Sequence, residues 1–142
     1  MPSSLNKAHG AAAEMLVVHE LLRKGFGVAL PLGDTEPYDI IATRGSGIWR
    51  LQVKATETRV RGNYRVIFRH GAKNKKAYTP EDCDFIITVV YYSERPGIYV
   101  IPLEEIDSVR GVFWEVGQHS RYPEAWPRCR WEVYRDAWDL LV

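Results

Sequence analysis

The stretch Pro37–Lys54, PYDIIATRGSGIWRLQVK, constrains the fold of this chain more than any other. Two apolar arms, Asp39–Thr43 and Ile48–Lys54, flank Arg44-Gly45-Ser46-Gly47, the pattern of a β-hairpin. With Gly45-Ser46 as a two-residue turn, the glycine supplying the positive φ of a primed turn, Asp39 lies opposite Gln52. Lys54, two residues beyond Gln52, projects from the same face of the same strand. An edge hairpin with its polar residues in water would also present this trio. The neighbours Ile40, Ile41, Leu51 and Val53 argue instead for a buried strand pair, in which a carboxylate, an amide and an ammonium need a reason to be there.

A chain of 142 residues with 46% hydrophobic content suits one domain, residues 1–142, with a substantial core. The net charge of +1 hides an uneven distribution. Arg59, Arg61, Arg65, Arg69, Lys73, Lys75 and Lys76 follow the hairpin with only Glu57 among them, so positive charge gathers directly downstream of the polar trio. Cys83 and Cys129 have no CxxC partner, and neither a leader peptide nor a long apolar run is evident, which predicts a reduced, cytoplasmic protein away from membranes. The four histidines lack zinc-ligand spacing. Absent GxGxxG, P-loop and GxSxG motifs remove support for nucleotide-dependent and serine-hydrolase chemistry.

In chain order, the spacing predicts a helix from about Lys7 or His9 to Lys24, closed by Gly25, with Ala11, Met15, Val18 and Leu22 as its buried stripe. Glu14 has Gly10, Ala11, Val17, Val18 and Leu21 as helical neighbours, so its carboxylate borders the core side, a costly position unless it is paired or binds a cation. Phe26–Leu30 reads as a strand, Tyr64–Arg69 as a strand with one charged face, and Cys83–Tyr92 as a central strand turning back into Ile98–Ile101. Pro102 starts a helical turn, residues 111–127 look irregular, and Val133–Leu141 has helical spacing with Tyr134, Trp138 and Leu141 on one side. These elements predict an α+β architecture with a mixed central sheet.

Two carboxylates and an amide oxygen suit Mg²⁺ or Mn²⁺, a lysine beside them can offset charge on a phosphoryl group, and a basic segment can hold a polyanion. The ordered set Gly10–Glu14, Pro31–Asp34, Pro37-Tyr38-Asp39 and Gln52-Val53-Lys54, followed by Tyr78, Asp84-Phe85, Tyr99–Pro102 and Ala137–Leu141, resembles the PD-(D/E)XK nuclease superfamily, and within it the group I intron homing endonuclease branch with a QxK third motif. The resemblance implies a restriction-endonuclease-like core, with an N-terminal helix packed on the sheet and a short C-terminal helix. It also implies a Mg²⁺-dependent endodeoxyribonuclease leaving 5′-phosphate and 3′-hydroxyl ends. Asp39 would be the central metal ligand, Glu14 a second, Gln52 the ligand replacing the usual acid, and Lys54 the catalytic lysine. The seven basic residues from Arg59 to Lys76 would form a DNA-facing group. Duplex or branched DNA is the expected partner, and cutting both strands with one small domain calls for a homodimer or higher homo-oligomer. A nuclease-fold module that binds DNA without cutting it, and a protein-interaction domain using the tryptophan-rich C-terminal third, are the competing expectations.

Overall fold

The computed structural model describes residues 3–57, 59–60, 63–66, 68–70, 76–92, 94–106, 114–116 and 131–142. The chain opens with a 21-residue helix, α1 (Ser3–Arg23), followed by strands β1 (Gly27–Ala29), β2 (Ile40–Arg44) and β3 (Gly47–Thr56). Four short strands come next: β4 (Arg59–Val60), β5 (Asn63–Val66), β6 (Arg69–His70) and β7 (Lys76–Ala77). Two longer ones, β8 (Phe85–Tyr91) and β9 (Pro96–Pro102), lead into a 3-10 turn at Leu103–Glu105 that starts after Pro102, as a proline with a fixed φ favours. Strand β10 (Trp114–Val116) and 3-10 turns at Glu132–Tyr134 and Trp138–Leu140 complete the described elements.

The main sheet has the order β1-β2-β3-β8-β9. Every neighbouring pair in it is antiparallel except β3 and β8, which run parallel, so the sheet is mixed as expected. A parallel pair demands a crossover between its strands. Here the crossover carries β4, β5 and the ribbon β6-β7, with β10 joining β5 from later in the chain, and places chain over the face of the sheet away from α1.

Both faces of the sheet are covered. On one, Ala13, Val17 and Leu21 of α1 pack against Ile40, Ala42, Leu51, Val53, Ile87, Val89 and Val100. On the other, Tyr64, Val66, Phe68 and Tyr78 from the crossover pack with Ile86, Val90, Tyr99, Ile101 and Trp131. This double burial is why β8 reads as a continuous apolar run: alternate residues enter different cores. Helix α1 ends where Gly25 adopts φ +88°, with Phe26 N–H donating to Leu21 O (3.0 Å) and Gly25 N–H to Leu22 O (3.1 Å), a Schellman closure. Arg44 then donates to the Lys24 carbonyl and stacks 3.7 Å over the Phe26 ring, tying the end of β2 to the end of the helix.

Four expectations need correction. The helix buries Ala13, Val17 and Leu21, and of the expected stripe only Val18 packs against this core, partly buried; Ala11 is exposed, Met15 is 49% and Leu22 56% exposed. Between residues 11 and 22 the helix is apolar on nearly every side, so periodicity alone does not choose a face, and contact with the sheet does. The expected C-terminal helix over 133–141 is two 3-10 turns. Arg135 bridges to Tyr99 on the edge of β9, Asp136 donates its N–H to Ile98 O (2.8 Å), and Asp136 sits at φ 51°, so pairing with the sheet edge interrupts a helix. Tyr134 therefore packs on the crossover-side core while Trp138 and Leu141 enter the α1-side core, instead of sharing one side. Finally, Tyr64–Arg69 divides into β5 and β6, and the segment expected to be irregular contributes β10 at Trp114–Val116.

Candidate active site

The hairpin forms in the expected register. Arg44 pairs with Gly47, and the ladder runs back to Ile40 opposite Leu51, around a Gly45-Ser46 turn. Gly45 has φ +59° and Ser46 does not share the left-handed region, the signature of a type II′ turn with glycine first. One residue before the ladder, Asp39 donates its N–H to Leu51 O (2.8 Å), and its Oδ2 accepts the N–H of Val53 (2.9 Å).

That second bond marks a fork. Strand β3 continues to Thr56 paired with β8, whereas β2 begins only at Ile40, so the Val53 N–H would have no strand partner on the β2 side. The Asp39 carboxylate takes the place of the missing strand and is held partly buried at the gap. The start of the β3–β8 pair is locked just beyond. Arg50 donates its backbone N–H to Asp84 Oδ2 (2.7 Å) and its guanidinium to both Asp84 oxygens, while Asp84 N–H returns to Arg50 O (2.8 Å). The same guanidinium reaches the carbonyls of Pro80 (2.8 Å) and Glu81 (2.5 Å), fixing the chain that leads into β8.

Glu14 approaches the fork from α1, next to the buried Ala13. Its carboxyl lies close enough to Asp39 to feel that residue's charge. Burial, then the Asp39 charge, push the Glu14 carboxyl up to about 7, with Asp34 adding a smaller like-charge effect. Asp39 is also raised, first by burial, against the opposing pull of the Val53 N–H and the Lys54 ammonium. Two carboxylates pressed together in partial burial cannot both ionise cheaply, so they share a proton or call for a cation.

Gln52 and Lys54 come from the opposite face of β3, because Leu51 and Val53 between and beside them point into the α1-side core. The Gln52 amide donates to Val53 O (3.3 Å). The Lys54 ammonium donates to the carbonyl of Arg69 (3.0 Å) and lies 5.1 Å from the centre of the Tyr78 ring. Of the expected site residues, Glu14 thus lies on the α1 side of the sheet, and Gln52 and Lys54 lie on the other. Among the described residues no group of three or more His, Cys, Asp and Glu side chains is arranged as metal ligands.

Residues 5–122 match the family model described as PD-(D/E)XK endonuclease. The chain belongs to the PD-(D/E)XK endonuclease family. This PD-(D/E)XK chain also resembles the solved structure of the bacterial homing endonuclease I-Ssp6803I, with a TM-score of 0.74 and 28% sequence identity over 94% of this chain and 90% of that one. No curated protein matches the chain. The restriction-endonuclease-like core, with its helix on a mixed five-stranded sheet, is the fold of that neighbour.

The basic candidates are only partly within view. Arg69 is half-buried and offers its backbone carbonyl to Lys54, and Lys76 is exposed on β7. Arg59 and Arg65 lie on the described backbone of β4 and β5, their side chains outside the described residues, as are Arg61, Lys73 and Lys75 altogether. Tyr78 and Asp34 are neighbours of the site that motif reasoning did not single out as site residues. Asp34 follows Gly33 (φ +82°) in an exposed loop, and its charge is felt by both Glu14 and Asp39. Burial keeps the Tyr78 phenol protonated, and it pushes the Cys83 thiol up to about 12. Among the described residues no helix is long and apolar enough to cross a membrane.

Proposed function

We propose that this PD-(D/E)XK family member is a Mg²⁺- or Mn²⁺-dependent DNA endonuclease that hydrolyses phosphodiester bonds to 5′-phosphate and 3′-hydroxyl ends. The observation that carries the reading is the partly buried Glu14–Asp39 pair, Glu14 raised by burial and by the Asp39 charge, Asp39 raised by burial. Hard oxygen donors held in that state fit a divalent cation, whose charge lets both ionise together. Asp39, Glu14 and the Gln52 amide oxygen would hold it, and when bound it supplies Lewis-acid polarisation of the scissile phosphate.

The chain's own groups have separate tasks in this reading. Asp39 is aimed by the Val53 N–H, so its free oxygen is oriented before any ligand arrives. Lys54 brings a positive charge beside Asp39, where it offsets the negative charge that grows on the phosphoryl oxygens and orients the attacking water. The basic residues Arg59, Arg61, Arg65, Arg69, Lys73, Lys75 and Lys76 hold duplex or branched DNA by its phosphates. One such chain acts on one strand, so double-strand cleavage uses a homodimer or larger assembly in the cytoplasm.

Supercoiled plasmid and a four-way junction, incubated with Mg²⁺, Mn²⁺ or EDTA, test the reading. Cleavage that depends on the cation and disappears in Asp39→Ala and Lys54→Ala is expected, with phosphatase-sensitive 5′ ends. Equal cleavage by all three proteins would sink the assignment. The uncharged Gln52, its amide nitrogen turned to Val53 O, favours a second reading in which the fold binds DNA without cutting it. Calorimetric titration separates the two: Mg²⁺ binding in the presence of DNA supports the nuclease, and its absence supports the binding module.

A further inference from the structure

The ribbon formed by β6 and β7 meets the proposed site at one point. Arg69 of β6 pairs with Ala77 of β7, and Tyr78 is the next residue. The ribbon and the residue that follows it therefore supply both the carbonyl that accepts from the Lys54 ammonium at 3.0 Å and the aromatic ring 5.1 Å from it. The ring is fixed: Tyr78 is 5% exposed and belongs to the core that contains Phe68 and Cys83. A carbonyl dipole and a ring quadrupole attract an ammonium without neutralising it, unlike a carboxylate partner. The charge of the lysine so held is felt at Asp39, whose carboxyl it pulls down.

We infer that Tyr78 is a positioning residue for Lys54, its π face and the Arg69 carbonyl holding the ammonium at the Asp39 carboxylate. This rests on the nuclease reading for its consequence in catalysis, but not for the placement itself. The inference assigns the role to the ring, so Tyr78→Phe is expected to preserve it. Weakening the ring's quadrupole at constant size, by Tyr78→trifluorophenylalanine, lowers single-turnover cleavage about tenfold relative to Tyr78→Phe, while DNA affinity stays within about twofold.

The test combines those rates with carbon-13 NMR of lysine-labelled protein free of DNA. The Lys54 ε-methylene resonance, identified by its loss in Lys54→Arg, should be shifted upfield of the other lysines by the ring current. It should stay shifted in Tyr78→Phe and return towards the others in Tyr78→Leu. A Lys54 resonance that coincides with the other lysines in the native protein overturns the inference, as do equal rates for the Phe and trifluorophenylalanine variants or a DNA affinity that falls in step with the rate. If the native protein cuts no DNA, the nuclease reading falls while the lysine resonance still decides the placement.

Discussion

Replacing Glu14 with Gln is expected to stabilise the metal-free protein at pH 8 and to leave its stability nearly unchanged at pH 5. The carboxyl is held at about 7 instead of 4.5 by burial and by Asp39. The folded state therefore binds this proton more tightly than the unfolded chain does. Its contribution to stability is full below pH 4.5 and is lost as the pH climbs to about 7. Taken at face value that rise corresponds to ~3 kcal/mol, but the side chain is only partly buried, and solvent screening reduces it to about 1–2 kcal/mol. The variant amide is a neutral isostere of the protonated acid and can donate to Asp39, so it escapes the loss. In EDTA, calorimetric melting at pH 5 and pH 8 should give matching Tm values at the lower pH and a variant Tm higher by roughly 3–6 °C at the upper one. Adding Mg²⁺ at pH 8 should raise the native Tm more than the variant's, because a cation that binds only the folded state stabilises it by mass action. A variant less stable than the native protein at pH 8, or altered equally at both pH values, would refute the picture of a carboxyl pair under strain.

Asp39→Asn is expected to abolish cleavage yet melt near the native temperature, since its amide oxygen can still accept the Val53 N–H, whereas Asp39→Ala leaves that N–H unpaired and costs about 1–3 kcal/mol by urea denaturation. Leu21→Ala should cost about 2–5 kcal/mol and Leu22→Ala less than about 0.5 kcal/mol, a contrast that reports which row of α1 is buried. Arg50→Ala, which deletes the bonds to Asp84 and to the Pro80 and Glu81 carbonyls, should cost about 1–3 kcal/mol and open the Asp84–Phe85 amides to hydrogen exchange.

The hairpin was legible in advance because its determinants are local. A glycine able to take φ +59° sets the turn, and the turn sets the register by which Asp39 arrives at β3 beside Gln52. The central strand was legible because burial on both faces leaves no alternation in FIITVVY. Other features depended on partners distant in the chain. The row of α1 that is buried, the refusal of residues 133–141 to form one helix, and the Tyr92–Tyr99–Glu132–Arg135 hydrogen-bond chain beside it all follow from docking onto the sheet.

For the candidate site the division is similar. The residue types Glu14, Asp39, Gln52 and Lys54, in that order around a hairpin, were written in the sequence, since a short motif carries its own donors and charge. That Asp39 substitutes for a missing strand, that Glu14 comes close to the Asp39 charge, and that Tyr78 meets the Lys54 ammonium were decided only by the tertiary structure. Each requires groups separated by between 14 and 25 positions to be brought within contact distance, and local propensity contains no information about such closures.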